Sequence, residues 1–438
     1  MVTLRKADEL AVQLKRKLQS FSINKIAVET GFVKRKPIKI KPLNFLIGLF
    51  INILTSDNSL STFASTLGLL GGCTISKQAV DKRIKLPLLK FLESILAKAL
   101  CYNNGGIKHK KSLRSIFNRI IVQDSSCIQL NEKLSQYFPG NRNQTNNKSA
   151  ILKIQAFFDL LTEQFCYLSF SPYRKNDQKS SADILKILLP GDLIIRDLGY
   201  FVLSVLNQIE QRSAYFLSRL KCHVCIYPLD GQSKIDLLKQ LKKYGTLDCN
   251  VLIGAKQKLP ARLIAVPVPE QVANERRRKC KNNRDRRLHP SKAHLALLGW
   301  NIFITNIDQQ QLNVVQIVNL YGCRWRIETI FKSWKSYFKI ENVPTASMTR
   351  LLCYIYAMLI FITLFQMYIY VKLYNRIKDT NNNQLSLLRL SKFVRSNIWA
   401  IILFYNNNKI VEDQIFYHCL YDKRQNRTNY MQKFAALG

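Results

Sequence analysis

Three acids and three partners around the last of them carry the chemistry of this chain. Tyr321, Arg324, Glu328 and Lys335 fall in the run Tyr321-Gly322-Cys323-Arg324-Trp325-Arg326-Ile327-Glu328-Thr329-Ile330-Phe331-Lys332-Ser333-Trp334-Lys335. Wound as one α-helix at about 100° per residue, the four lie within an arc of roughly 60°. Trp325 and Lys332 edge that arc, while Cys323, Ile327, Ile330, Phe331 and Trp334 gather on the face a helix buries. One carboxylate among cations and aromatic rings suits a metal held beside a bound phosphate backbone; the ordinary alternative is a solvated helix with i,i+4 charge pairs. Asp124 ends the apolar run Ile120-Ile121-Val122-Gln123, and Asp197 ends Leu193-Ile194-Ile195-Arg196. Both read as buried strands delivering an acid at the tip.

Three carboxylates fit phosphodiester chemistry. Breaking that bond needs an activated oxygen nucleophile, an in-line leaving group and relief of charge at phosphorus. Two divalent ions about 3.5–4 Å apart serve both oxygens at once. Hard Mg²⁺ or Mn²⁺ prefers carboxylate oxygen and water and needs few protein ligands. Asp124 would bridge two ions, with Asp197 on one and Glu328 on the other; no organic cofactor and no protein nucleophile is required.

The spacing Tyr321-x2-Arg324-x3-Glu328-x6-Lys335 resembles the Y-R-E-K signature of DDE transposases from bacterial insertion sequences, and Asp197-Leu198-Gly199-Tyr200-Phe201 resembles that family's second motif. The resemblance implies Asp124, Asp197 and Glu328 as the catalytic, metal-binding triad, with Tyr321, Arg324 and Lys335 gripping a DNA end. It places Trp325 and Trp300 where relatives hold a flipped base; Lys332, on the edge of the same helical arc, is a further candidate DNA contact. It implies cut-and-paste transposition: 3′-end cleavage by water, a hairpin intermediate, and strand transfer into target DNA. Expected partners are double-stranded DNA, as terminal inverted repeats and target, and a second copy of the chain in a homodimer acting in trans.

Charge agrees with a polyanionic partner. In 438 residues, 67 Lys and Arg stand against 28 acids, a formal charge of +39. That excess is more than solubility asks and points to nucleic acid or a membrane surface. Eleven cysteines, an odd number in a long chain without a secretory leader pattern, read as free thiols in a reducing cytoplasm; the resemblance makes that cytoplasm prokaryotic and the protein nucleoid-associated when on DNA. The opening Met1-Val2-Thr3-Leu4-Arg5-Lys6 reads as a soluble helix start. Cys222-His223-Val224-Cys225, with Cys249, Cys280 and His289, offers one tight ligand pair where structural zinc usually takes two, so zinc is not expected.

The fold expected is multi-domain α/β: a ribonuclease-H-like core interrupted by a β-rich insertion, with helical N-terminal and C-terminal regions. Residues 1–110 read as helices around the basic stretch Lys34-Arg35-Lys36-Pro37. Leu60–Gly68, the turn at Gly71-Gly72 and Ser76–Arg83 form either a helix-turn-helix on DNA or an ordinary helical hairpin. The resemblance makes this the DNA-end-binding region. The core comprises 111–211 and 295–345, in the order strand, strand, strand, helix, strand, helix. The interval from Asp197 to Glu328 exceeds one crossover, and 212–294 is assigned to the insertion. Its basic run Glu275-Arg276-Arg277-Arg278-Lys279, continuing to Arg284, Arg286 and Arg287, reads equally as a solvated helix or a DNA face. Leu295–Asn306 returns as a strand. Residues 346–438 are helical and a candidate for dimerisation. Within them Leu351–Val371 is long enough to cross a bilayer; a helix apolar all round is also the core of a large domain, and no membrane is expected. The rival readings are a ribonuclease-H-like nuclease without strand transfer and a domesticated DNA-binding protein.

Overall fold

The computed structural model describes residues 18, 20–35, 39–55, 59–101, 106, 111–141, 149–282, 290–381, 384–403, 408–421, 430, 434 and 437. The helix start at Met1, Lys36-Pro37, Arg284, Arg286, Arg287 and His289 lie outside them. Along the chain the helices are α1 (Ile23–Glu29), α2 (Pro42–Thr55), α3 (Leu60–Gly71), α4 (Lys77–Asp81), α5 (Leu86–Cys101), α6 (Lys111–Ile116), α7 (Leu203–Gln211), α8 (Leu237–Tyr244), α9 (Glu270–Lys281), α10 (Lys292–Leu297), α11 (Val314–Gly322), α12 (Trp325–Lys332), α13 (Met348–Leu364), α14 (Val371–Asn381), α15 (Leu387–Ser396), α16 (Ile398–Leu403) and α17 (Asn408–His418). The strands are β1 (Ile120–Leu130), β2 (Ala150–Asp159), β3 (Gln164–Pro172), β4 (Leu193–Arg196), β5 (Tyr215–Arg219), β6 (Ile226–Tyr227), β7 (Leu247–Ile253), β8 (Leu259–Pro267) and β9 (Trp300–Thr305). The architecture is mixed α/β with a large sheet and many helices.

The chain divides into two compact units. One comprises Met1–His109, Ser125–Arg174 and Arg326–Arg427; the other comprises Lys110–Asp124, Lys175–Trp325 and Thr428–Gly438. The first is mainly helical. Met348–Ile377 runs through α13, a π-helical turn at Phe365–Tyr370 and α14, and 89% of its most apolar window is buried. Helices α2 and α5 pack on α13, with Phe50 against Phe361 at 5.6 Å between ring centroids. Its apolar surface is thus matched by protein, which satisfies an all-round apolar helix without lipid. In the same unit β2 and β3 form an antiparallel hairpin from Leu152↔Pro172 to Asp159↔Gln164, with an irregularity at Phe157/Phe158. Strand β2 is buried along nearly its whole length, its polar residues Lys153, Gln155 and Asp159 included.

Helices α3 and α4 also belong there. Gly72 ends α3 at φ 62°, a left-handed C-cap that glycine adopts without steric cost. Ser76 Oγ caps α4, accepting from the Ala79 amide at 3.2 Å. Helix α4 is only five residues long, and its Asp81 is ion-paired with Arg350.

In the second unit the first half of β1 pairs in parallel with β4, and β4 with β5; β9, β8, β7 and β6 continue antiparallel, in the order β1-β4-β5-β9-β8-β7-β6. Residues 212–294 supply β5 to β8. Buried Arg262 fastens them: it pairs bidentately with Asp248 (2.7 and 2.9 Å) and donates to the Leu312 carbonyl at 2.7 Å, just before α11. Asn306 latches β9 to β5, accepting from the Phe216 amide and donating to the Ala214 carbonyl.

Four local expectations change. Leu295–Leu297 is the end of helix α10, and the strand begins only at Trp300. The first helix expected in the core order, directly before the Asp197 strand, is a 3₁₀ segment, Ser181–Lys186. Strand β1 runs on to Leu130, so Asp124 lies within it rather than at its tip. The single helix expected through Tyr321–Lys335 is broken. Helix α11 stops at Gly322, the Arg324 amide folds back to the Tyr321 carbonyl, α12 restarts at Trp325, and Ser333–Tyr337 is a π-turn. The 60° arc therefore does not exist as one continuous face.

Candidate active site

Strand register accounts for the two aspartates. The β1–β4 pairing ends at Gln123↔Arg196, so the next residue on each parallel strand is Asp124 and Asp197. Side chains alternate across a strand, which sends Gln123 and Arg196 to one face and the aspartates to the other. The inward pair is tied to one turn. Gln123 Nε2 donates to the Ser180 carbonyl at 2.9 Å; Arg196 donates to Ser181 Oγ (2.7 Å) and to its carbonyl (2.8 Å). Ser181 Oγ in turn donates to the Tyr200 carbonyl at 2.9 Å, across the Asp197 turn. Gln123, Ser180, Ser181 and Arg196 are all buried, and burial lowers the Arg196 pKa to about 9, with Tyr200 opposing. Sequence reasoning missed this network. Its signal was a polar residue closing each apolar run directly before the acid.

On the opposite face Asp124 and Asp197 are 21% and 47% exposed, and Arg324 meets both. Its Nη1 donates to Asp124 Oδ2 at 3.4 Å, and its Nε stands 4.0 Å from Asp197 Oδ1. At the break between α11 and α12 the buried Arg324 guanidinium reaches the two aspartates. A capping box between Asn313 and Gln316 starts α11. Tyr321, one turn before the break, packs on Phe303 at 4.8 Å between centroids. Burial pushes its hydroxyl up to about 12, with Arg324 opposing; it is a neutral donor at physiological pH. Arg219, ending β5, a cation that sequence reasoning had not singled out, also acts electrostatically on Tyr321 and on Arg276.

Trp325 is 63% exposed, with the Arg324 guanidinium 5.7 Å from its ring centroid. Trp300 instead donates its indole N–H to the Gly245 carbonyl at 2.7 Å, which ties it to the turn after α8. Part of the basic run is also structural: Arg276 donates to Asn301 at 2.8 Å, and Arg277 pairs with Glu270 at 2.7 Å.

Glu328, Lys332 and Lys335 belong to the first unit. There Ile327, Ile330, Phe331 and Trp334 are buried, with Trp334 against Phe165 and Phe331, and Glu328 is half-buried on the outer side of α12. Lys332 is exposed. Lys335, in the π-turn, donates to the Cys127 carbonyl at 2.7 Å and pairs with Glu341 at 3.1 Å. Cys222 and Cys225 lie in the segment after β5. Among the described residues, no group of three or more His, Cys, Asp or Glu is gathered as a metal site. The pair Asp124 and Asp197 nonetheless suits a hard cation: two adjacent carboxylates, open to solvent and already facing a positive charge.

The family model described as "Transposase DDE domain" matches residues 116–364. The transposase for insertion sequence element IS231D of Bacillus thuringiensis subsp. finitimus is 32% identical over 365 residues, 78% of this chain and 76% of that protein. The transposase for IS231C, from subsp. berliner, is 31% identical over 81% of this chain and 78% of its own length. That for IS1151 of Clostridium perfringens is 28% identical over 81% and 79%. A solved piggyBac transposase synaptic complex with hairpin DNA covers 98% of this chain and 89% of its own, at 10% identity and a TM-score of 0.45, too slight a likeness to bear on function.

Proposed function

Because the chain belongs to the DDE transposases of bacterial insertion sequences, enzymes that cut DNA and transfer strands, we propose that Asp124, Asp197 and Glu328 form its catalytic triad on a ribonuclease-H-like core. The observation that carries this reading is the β1–β4 register, which makes Asp124 and Asp197 immediate neighbours on parallel strands. The three carboxylates would hold two Mg²⁺ or Mn²⁺ ions. Bound there, such ions supply Lewis-acid charge relief at the scissile phosphate and lower the pKa of an attacking water.

The remaining steps belong to the chain's own groups. Tyr321, protonated at neutral pH, donates a hydrogen bond to a phosphate oxygen. Arg324, beside both aspartates, would donate to the DNA backbone, and Lys335 and Lys332 would add charge along the same strand. Exposed Trp325 offers a stacking surface for an extruded base; Trp300, bonded to Gly245, would be its less mobile counterpart. Cleavage frees a 3′ hydroxyl, which closes a hairpin on the opposite strand and, after reopening, attacks target DNA. Helices α1–α5 would bind the terminal repeats, and residues 346–438 would pair two protomers acting in trans, in the cytoplasm.

Purified protein incubated with linear DNA carrying its element's ends and Mg²⁺ or Mn²⁺ tests this against Glu328→Ala. Metal-dependent hairpins and joined products from the wild type, lost in the variant with end binding retained, support the triad. Cleavage without joining favours a nuclease, and equal chemistry in both proteins removes Glu328 from the site.

A further inference from the structure

Two residues before Glu328, on the inner side of α12, a full charge is buried inside the first unit. Arg326 is 2% exposed. Its Nε donates to both Glu163 oxygens, at 3.1 and 2.9 Å, and its Nη2 lies 2.5 Å from Glu163 Oε2. Gln366 Nε2 donates to the same oxygen at 3.0 Å. The guanidinium stands 4.9 Å from the centroid of Tyr370. Gln366 and Tyr370 both come from the π-turn Phe365–Tyr370, a local widening of the helix of the kind found at functional sites.

Glu163 is held there against two penalties. It is fully buried, and its backbone sits at φ 56°, a left-handed conformation that glycine would adopt more easily. The β2–β3 turn imposes this. Asp159 accepts from the Leu161 amide (3.0 Å), the Thr162 amide (3.2 Å) and the Thr162 hydroxyl (2.6 Å). Gly106 presses on the turn so closely that a Cβ there would stand 2.4 Å from Thr162 Cα.

Packing alone does not call for such a pair, since apolar residues of similar volume often serve stability as well or better. What a bidentate guanidinium–carboxylate fork adds is direction. Positions 326 and 328 lie about 200° apart on a helix. Anchoring Arg326 inward therefore sets the rotation of α12 and the direction in which the half-buried Glu328 leaves it. We propose that the Glu163–Arg326–Gln366 cluster is a positioning device that aims the Glu328 carboxylate through the β2–β3 hairpin and the π-turn. It rests on the reading of Glu328 as a catalytic ligand.

The test uses the full chain with Glu163→Met and Arg326→Met together, which removes both charges and keeps the volume filled. Gln366→Met is the milder companion, leaving the ion pair in place. Melting by circular dichroism, end-DNA binding, and cleavage rate against Mg²⁺ concentration are measured beside wild type and Glu328→Ala. Residues that orient metal ligands typically affect metal affinity or activity on the order of 10–100-fold. The folded double variant is expected to bind DNA normally, cleave at least about tenfold more slowly and need about tenfold more Mg²⁺ for half-maximal rate. Gln366→Met should show the same shift in Mg²⁺ requirement, smaller, at about threefold. Wild-type Mg²⁺ dependence in the folded double variant overturns the proposal. Should that variant fail to fold, Gln366→Met decides: a raised Mg²⁺ requirement supports it and an unchanged one overturns it. Normal cleavage by Glu328→Ala would remove the premise instead, and that control separates the two failures.

Discussion

At the scale of residues, Arg324 is the counter-charge of two neighbouring carboxylates. Removing it leaves Asp124 and Asp197 facing each other with less neutralisation, so Arg324→Ala should melt lower without metal. A cation that binds only the folded state raises its stability, and it does so more where two neighbouring acids have lost the Arg324 counter-charge. The Mg²⁺-induced rise in melting temperature should therefore be larger in Arg324→Ala than in wild type, while strand cleavage is lost. Scanning fluorimetry with and without millimolar Mg²⁺ reads this, and equal shifts would argue against a shared charge site. Tyr321 supplies a pH dependence. Burial raises its pKa from 10.0 to about 12, so the folded state favours the protonated phenol. That contribution is whole below pH 10 and is lost as pH climbs towards 12. Tyr321→Phe should therefore lose less stability than wild type over that window in urea titrations, and end binding should show no Tyr321-dependent step between pH 7 and 9.5, an interval set as roughly the range below the ordinary phenol pKa.

At the scale of elements, alternation along β1 and β4 divides labour between adjacent residues. Gln123 and Arg196 bond to the Ser180–Ser181 turn beneath the sheet, and the following acids emerge above it. Arg196→Lys keeps a cation but cannot reach both Ser181 atoms as a planar fork does. Losing a charged, buried hydrogen bond costs about 2 kcal/mol, which a lower urea midpoint would report. Cleavage should fall as well, because the turn carrying Asp197 is held by the same Ser181. An unchanged midpoint would mean that water or rearrangement replaces the bonds. The helices show a related division: the break at Cys323–Arg324 lets Tyr321 and Arg324 aim independently of the residues that follow.

At the scale of the whole molecule, an excess of 39 positive charges acts as a field rather than as a set of pairs. Each phosphate neutralised contributes about −0.9 to the slope of log affinity against log salt. End binding should show a slope on the order of −5 or steeper when titrated by fluorescence anisotropy with NaCl. A slope near −1 would place most of that charge away from the DNA. The other whole-chain feature, the apolar stretch within Met348–Ile377, is covered by α2, α5 and its own unit's aromatic rings, so its composition reflects a core.

The sequence alone determined the acids, their order and the Y-R-E-K spacing, because each is a local pattern: an apolar run ending in an acid, or residues set at helical intervals. It also determined the buried side of α12 and the π-turn after it, since Ile327, Ile330, Phe331 and Trp334 recur at the helical period and are buried. Tertiary structure alone decided that Asp124 and Asp197 are neighbours, because register between strands 73 positions apart (197 − 124) depends on pairing that no local window contains. It likewise decided that Arg326, to which the sequence assigned no role, is buried on Glu163. The partner lies 163 positions away, and only packing brings a charge to the one place where its opposite waits.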